Sequence, residues 1–383
     1  MKFNKYKISH YFTFILSGLN YFIAIILKSF IKRKNNNILL FGHKLVGNLE
    51  VIFKDKRFNQ NEIFFITLNY KDYLNLKKIY GKRILTPLNI FHIFKALGCR
   101  IIVASHGIFL HKIIKKLGIK TILCGHAING SVPKNKNKTI KNFEIFDQVW
   151  LHSPYDKKIV KNELLCKTFN LNIFGFARNQ VLIENNEKKD ELKERNFLNG
   201  KKVILYAPTS NRGSKKYMDS EFSLYNVDFY KFIIKELSNT NVILIIKTHL
   251  NDSISKEIKK LVKNNSNLLF QDDLDVDYDY DQLIMSDVLI TDLSTIYVDY
   301  LLLGKPIYLI NNPDPDPQRE LSSVLKNINL PNIDNKKSLQ DMIEKLKLDE
   351  LKSDNIQNLK NVIYENQDHL KTIDRINKIF LSS

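Results

Sequence analysis

The run SDVLITDLSTIYVDYLLLGKP (Ser286 to Pro306) places Asp292, Ser294 and Thr295 where an apolar strand gives way to a helix. Ligands of parallel sheets bind at such strand ends, where helix amino termini offer unpaired N–H groups to phosphates. Ser294 and Thr295 add hydroxyl donors, a set that suits a diphosphate. From spacing alone an equal reading is structural, with Asp292 and Ser294 capping the helix. Lys247 and His249 follow another apolar run in NVILIIKTH, Thr209 and Arg212 lie in YAPTSNRG (Tyr206 to Gly213), and Arg178 lies in GFARN (Gly175 to Asn179). Arginine is the side chain suited to two-point phosphate contact. His126 ends the run KTILCGH, where a lone histidine, taken by itself, reads as a core residue with its hydrogen bonds satisfied. SHG (Ser105 to Gly107) follows a further strand and is placed to line a pocket.

Other tempting residues carry less. His43 and Gly47 follow the first strand without forming a dinucleotide fingerprint, so no nicotinamide cofactor is implied. The acidic run DDLDVDYDYD (Asp272 to Asp281) alternates like a calcium loop but lacks the glycine and terminal glutamate of that template, and reads as a solvated connection. Cys99, Cys124 and Cys166 are an odd number at wide spacing, which offers no disulfide framework or paired zinc site and fits a reducing compartment. No ligand cluster of metal-site spacing stands out, and no cofactor is expected. The net charge of +19 attracts nucleic acid, anionic lipid or phosphorylated substrates. The lysines are scattered, with no Arg-rich helix, zinc-finger spacing or aromatic RNA-binding signature, so nucleic acid is not an expected partner.

The elements that must hold these residues fit two α/β domains of roughly 150 to 200 residues each. ILLFGH, EIFFITL, RIIVAS, KTILCG, QVWLHS and FNLNIFGFA read as buried strands separated by amphipathic segments such as FHIFKALG and LHKIIKKLG. That alternation implies a parallel sheet covered on both faces. A charged helical linker (Glu184 to Gly200) leads to a second series, KKVILYAPT, NVILIIKTH, NLLFQ, SDVLITD and KPIYLI. The expected architecture is α/β, two Rossmann-like domains facing a cleft, over residues 35–180 and 181–383 with a helical tail. Residues 1–34 form a membrane-associating segment. Its core, Ile8 to Leu27, carries no charge and is flanked by Lys5, Lys7, Lys28, Lys32 and Arg33. A helix buried in the protein is one reading of it; as a membrane segment it is long enough to span a bilayer, while Ser9, His10, Thr13, Ser17, Gly18 and Asn20 weaken insertion, so spanning and lying in the interface read equally. In either case the heavier basic cluster after it sets the body of the protein on the cytoplasmic face of an anionic membrane.

DVLITDLSTIYVDYLLLGKPIYLI resembles the signature of the CDP-glycerol glycerophosphotransferase family, the teichoic-acid primases and polymerases. Further landmarks follow in order from Ile38 to Ile310. YAPTSNRG resembles a tyrosine–alanine–proline–threonine motif with a displaced arginine, KTH a lysine–x–histidine segment, and GFARN an interdomain turn in which Ala177 replaces a proline. CGHAINGSVPK (Cys124 to Lys134) stands where the family has a tryptophan–histidine–glycine–threonine–proline motif, and keeps only its histidine, His126.

The resemblance implies the two-domain glycosyltransferase (GT-B) fold and attack of an acceptor hydroxyl on the β-phosphorus of CDP-glycerol or a related CDP-alditol. CMP would leave, and the acceptor would be a lipid-linked or polymeric cell-surface glycan, as in teichoic acid or capsule synthesis. His126 would then be the general base, His249 and Arg212 would neutralise the diphosphate with Lys247 beside them, and Ser294, Thr295 and Thr209 would hold the donor. Asp292 would orient the turn, and Arg178 would contact donor or brace the hinge. Two alternatives stay open: a glycosyltransferase of the same fold with another nucleotide-linked donor, and a non-catalytic protein that binds anionic membranes.

Overall fold

Short runs rich in isoleucine, leucine and valine, each too apolar to face water on either side, build two parallel sheets. The computed structural model describes residues 8–27, 36–108, 111–125, 131–166, 170–211, 214–249, 252–292, 294–310, 319–321, 329–365 and 367–382. His126 and Arg212 lie outside the described residues, as do the flanking lysines before and after the amino-terminal helix.

The strands in chain order are β1 (Ile38–Phe41), β2 (Ile63–Ile66), β3 (Ile84–Leu85), β4 (Ile101–Ala104), β5 (Lys120–Leu123), β6 (Ser131–Pro133), β7 (Gln148–Leu151) and β8 (Leu171–Ile173), then β9 (Lys202–Tyr206), β10 (Val242–Ile246), β11 (Leu268–Phe270), β12 (Val288–Thr291), β13 (Ile307–Ile310), β14 (Arg319–Leu321) and β15 (Asn332–Ile333). Among the described residues the first sheet runs β3-β2-β1-β4-β5-β7-β8 and the second β11-β10-β9-β12-β13-β15, and the pairing within both is parallel. Strand order reverses direction beside β1 in one sheet and beside β9 in the other, the switch points at which such sheets open a crevice. Helices pack on the faces, several started by side-chain caps: Asn69 on Tyr70–Tyr80, Asn89 on Ile90–Leu97 and Ser255 on Lys256–Lys263.

Three features depart from the reading of the sequence in linear order. The helix Thr372–Ser382, grouped by order with the second half, packs against the first sheet, where Ile373, Ile376 and Phe380 share a core with Ile38, Leu40 and Trp150. Arg100 donates to the carbonyl of Phe380 there. A small antiparallel ladder joins β6, inside the CGHAINGSVPK segment, to β14 of the second half. Three residues are too few for a period to register. The third departure is the amino-terminal helix. It forms over Ile8–Ile26, and no helix among the described residues is long and apolar enough to cross a membrane. Ser17, Asn20 and Ala24 are buried, and the Asn20 amide donates to the carbonyl of Pro87 at 2.9 Å, beside the helix Ile90–Leu97. Two of the polar residues that weaken insertion, Ser17 and Asn20, thus lie on the face that docks on the protein. Ile15, Leu19, Phe22 and Ile26 point outward, 51% to 66% exposed.

Candidate functional site

The carboxyl ends of both sheets open onto one cleft of about 510 Å³. From the first sheet it is lined by His43 and Lys44 after β1, Asn69 and Asp72 after β2, Ser105 and His106 after β4, and Gly125 after β5. From the second come Ala207 and Pro208 after β9, Lys247 to His249 after β10, Gln271 after β11, and Ser294 after β12. Arg178 and Tyr280 close the back. Of the residues expected from sequence, Lys247, His249, Ser294 and Arg178 line the cleft, and Gly125, next to His126 in the chain, lines it too.

Asp292 and Thr209 sit beneath this surface. The Asp292 carboxylate, 3% exposed, accepts from the Thr209 backbone N–H and hydroxyl, both at 2.7 Å, from the Tyr217 hydroxyl at 2.9 Å and from the Ser294 N–H at 3.2 Å. Burial raises its pKa, and the Thr209, Tyr217 and Ser294 donors offset part of that rise. Asp292 is therefore the node that clips the β9 and β12 turns together, and the Thr209 hydroxyl is committed to it. Thr295 is the residue at the start of the helix Ile296–Leu301, in helical backbone conformation and without a side-chain cap. Ser294 Oγ accepts from the Ile296 N–H at 3.5 Å, so Asp292 and Ser294 do hold the start of the helix, while Ser294 also lines the cleft.

A second node was not singled out from the sequence. Asp252 accepts from the Ser210 hydroxyl at 2.6 Å, the Tyr225 hydroxyl at 2.7 Å and the backbone N–H of His249 at 2.6 Å. Ser210, 42 residues away in the chain, and Tyr225, 27 away, meet the KTH turn on that one carboxylate, which sets the direction of the turn. Lys247 reaches Gln271 Oε1 at 2.7 Å and Asp279 Oδ2 at 3.4 Å, above the ring of Tyr280.

Asp279 belongs to the acidic run expected to be a solvated connection. The run instead packs on the helix Asn48–Lys54: the Asp279 N–H donates to Glu50 at 3.0 Å, and Lys54 donates to the Asp277 carbonyl at 2.7 Å while pairing with Glu50. Arg195 pairs with Asp277, and Asp281 is 3% exposed.

On the opposite wall the register of β1 with β4 pairs Phe41 with Ala104, so the residues that follow, Gly42-His43 and Ser105-His106, emerge side by side. A side chain at Gly42 would strike Leu49 Cδ1 at 2.7 Å and approach Ser105 Oγ at 3.1 Å, so the bare glycine lets the two turns touch. The His43 and His106 rings lie 5.4 Å apart, and His106 Nδ1 is 2.9 Å from Ser105 Oγ. Desolvation, with help from His43 and His249, pushes the His106 imidazole down to about 4, although its edge meets the open cleft. Burial also lowers His43. Each of these strands is followed within three residues by a histidine, as are β5 and β10; that repetition was the signal available in the sequence.

Arg178 ties the helix Ala177–Glu184 to the helix after β12. Its guanidinium, 4% exposed, meets Asp299 at 3.1 Å and lies over the rings of Phe176 and Tyr280. Burial alone would raise the Asp299 carboxyl, but Arg178 and His152 hold it below the usual range. His152 Nε2 is 2.7 Å from the Asn179 amide and 2.9 Å from the Tyr364 hydroxyl, which in turn donates to the Val298 carbonyl. One buried knot thus joins the first sheet, the crossover helix Ala177–Glu184, the helix after β12 and the tail.

A sequence profile described as CDP-Glycerol:Poly(glycerophosphate) glycerophosphotransferase matches residues 94–374, well over half of the chain. The teichoic acid glycerol-phosphate primase of Bacillus subtilis (strain 168) is 25% identical over 248 residues, which cover 58% of this chain and 60% of that protein. The teichoic acid poly(ribitol-phosphate) polymerase of Bacillus spizizenii (strain ATCC 23059 / NRRL B-14472 / W23) is 29% identical over 177 residues, 41% of this chain and 26% of that protein. The chain thus spans at most 60% of the length of these relatives. The structure of the wall teichoic acid polymerase TagF superposes with a TM-score of 0.67 at 16% identity over 98% of both chains. A TagF variant soaked with CDPG gives 0.67 at 16% identity over 97% of both. These superpositions establish a shared fold.

Proposed function

Because the chain belongs to the CDP-glycerol:poly(glycerophosphate) glycerophosphotransferase family, we propose that it transfers a glycerol-phosphate or related alditol-phosphate unit from CDP-glycerol to a hydroxyl of a lipid-linked or polymeric glycan acceptor. The observation that carries the reading is the single cleft on which Lys247, His249 and Ser294 from one sheet face His43, His106 and Gly125 from the other. The two-walled arrangement is that of the GT-B type.

In the proposed reaction the acceptor oxygen bonds to the β-phosphorus, the bond from that phosphorus to the CMP oxygen breaks, and CMP departs with its electron pair. The acceptor proton passes to His126, adjoining Gly125 on the acceptor wall. Charge spread over the phosphate oxygens calls for fixed donors and cations more than for covalent chemistry. Lys247 and His249 supply these from the KTH turn, with Arg212 and the Ser294 and Thr295 turn as further donor contacts. Asp252 and Asp292 pre-set that wall without touching donor, and Arg178 holds the walls in register.

The outward stripe Ile15, Leu19, Phe22 and Ile26, with Phe91 (75% exposed) on the helix it packs against, supports docking on an anionic membrane at its cytoplasmic face. Flotation with anionic vesicles tests this: Phe22→Asp should release the protein, and unchanged flotation would refute it. For the chemistry, purified protein with CDP-glycerol and a glycan acceptor should release CMP, and His126→Ala should abolish transfer while leaving donor affinity within about twofold. Absence of turnover and binding across CDP-glycerol, CDP-ribitol and UDP-glucose would refute the reading.

A further inference from the structure

We infer that Asn48 is a positioning residue for the proposed base, its buried amide setting the direction of the turn that leads into His126. The inference rests on the proposed transfer and adds what holds that turn in place.

The turn begins where the first sheet stops holding it. Strand β5 pairs with β4 and β7 up to Leu123, so the carbonyls of Cys124 and Gly125, the two residues before His126, lie past the end of the register. Asn48 takes them over: its Nδ2 donates to the Cys124 carbonyl at 3.0 Å and to the Gly125 carbonyl at 3.4 Å. The far end of the segment is fixed separately, by the pairing of β6 with β14 and by the buried Val132. His126 adjoins the end that Asn48 holds.

The amide is committed on both sides. Asn48 is 5% exposed, and its Oδ1 accepts from the Arg178 N–H at 3.3 Å. Two carbonyls facing the nitrogen and an N–H facing the oxygen leave one orientation for the amide and use its donors and its acceptor together. An amide so engaged serves the protein rather than a ligand, although Asn48 borders the cleft. Gly47 before it has φ +60°, a left-handed conformation that favours glycine, and turns the chain into the helix Asn48–Lys54 at that point.

The partners give the link its use. Cys124 and Gly125 lead to His126, while the Arg178 guanidinium reaches Asp299 at 3.1 Å on the helix after β12. Through Asn48 the turn after β5 is therefore referenced to an element of the second sheet, the one that follows the Asp292 turn. A transfer depends on aligned reacting atoms, and a misplacement of about 1 Å costs about a hundredfold in rate.

The test uses the full chain with CDP-glycerol as donor and glycerol as acceptor probe, with turnover read as CMP release, donor affinity by calorimetry and folding by the thermal midpoint. Asn48→Ala removes all three bonds. Asn48→Asp keeps the shape and the acceptor for Arg178 but sets a carboxylate against two carbonyl oxygens, and carries the test should Asn48→Ala fail to fold. Each should lower kcat about a hundredfold, with donor Kd and glycerol KM within about twofold of wild type. Asn89→Ala, which removes the cap of the helix Ile90–Leu97, is the control for a merely structural loss and should lower the midpoint with kcat unchanged. A kcat within about threefold of wild type in the folded Asn48 variants would overturn the inference. So would a donor Kd that rises with kcat unchanged, which would make Asn48 a donor contact, or a kcat loss in Asn89→Ala as large as that in Asn48→Ala. Full activity in His126→Ala, or failure of wild-type protein to bind CDP-glycerol, would instead overturn the transfer reading beneath it.

Discussion

Replacing Asp299 with asparagine would leave the Arg178 guanidinium, 4% exposed, without its counter-charge, while His152 and Tyr364 stay packed around the gap. Removing one partner of a buried pair costs about 3–5 kcal/mol, because the remaining charge keeps its desolvation penalty. For a domain of this size 1 kcal/mol moves the midpoint by about 2–4 °C, so Asp299→Asn should lower it by roughly 6–20 °C. The double replacement Arg178→Met, Asp299→Leu removes both charges and should recover more than half of the loss. Calorimetry at pH 7 measures both. Acid adds an independent check. The Asp299 carboxyl is depressed in the folded state, so its contribution is present above the unfolded value of about 3.9 and is lost as pH falls through the lower folded value. The gap between wild type and Asp299→Asn should be constant from pH 5 to 8 and shrink below about pH 4. A single-mutant cost under about 1 kcal/mol, or a double mutant as unstable as the single, would refute the reasoning.

His369 is 6% exposed and its two ring nitrogens have no hydrogen-bond partner among the described residues, with burial first among the causes that push its pKa down to about 3. The unfolded chain takes up a proton at about 6.5 that the folded chain refuses, so stability should fall by about 1.4 kcal/mol per pH unit from that group between pH 6.5 and 3. His369→Phe should flatten urea-derived stability over that window, and parallel curves would refute the assignment. Gly175 has φ +79°, and a Cβ there would lie 2.7 Å from Gln367 Nε2 and 2.9 Å from Thr372 Oγ1; Gly175→Ala should cost about 1–3 kcal/mol in thermal unfolding. Asp252→Ala strips Ser210, Tyr225 and the His249 N–H of their shared acceptor and should weaken CDP-glycerol binding about tenfold by calorimetry, with little change in midpoint.

What the sequence disclosed follows from how the chain stores information. The strands were legible because ILLF, IIVA, VILII and VLIT must be buried on both faces, and their ends located the cleft. Lys247, His249 and Ser294 were legible as residues directly after strand ends. Asp252 and Asp279 were not, since each takes its meaning from partners 27 to 229 residues away. The acidic run looked like a solvated loop because its ligands, Glu50, Lys54 and Arg195, are ordinary surface types in the sequence. In the amino-terminal helix Ser17, Asn20 and Ala24 recur at i, i+3 and i+7, a docking stripe that could have been read as a face.

The return of the helix Thr372–Ser382 to the first sheet bears on the order in which the molecule can be made. Ile373, Ile376 and Phe380 complete the core around Ile38, Leu40 and Trp150, so a ribosome that has finished the seven strands of the first sheet has not yet delivered the material that seals them. The amino-terminal half must wait, with part of its apolar surface uncovered, while the second half is translated, and it is during that interval that chaperones would find their substrate.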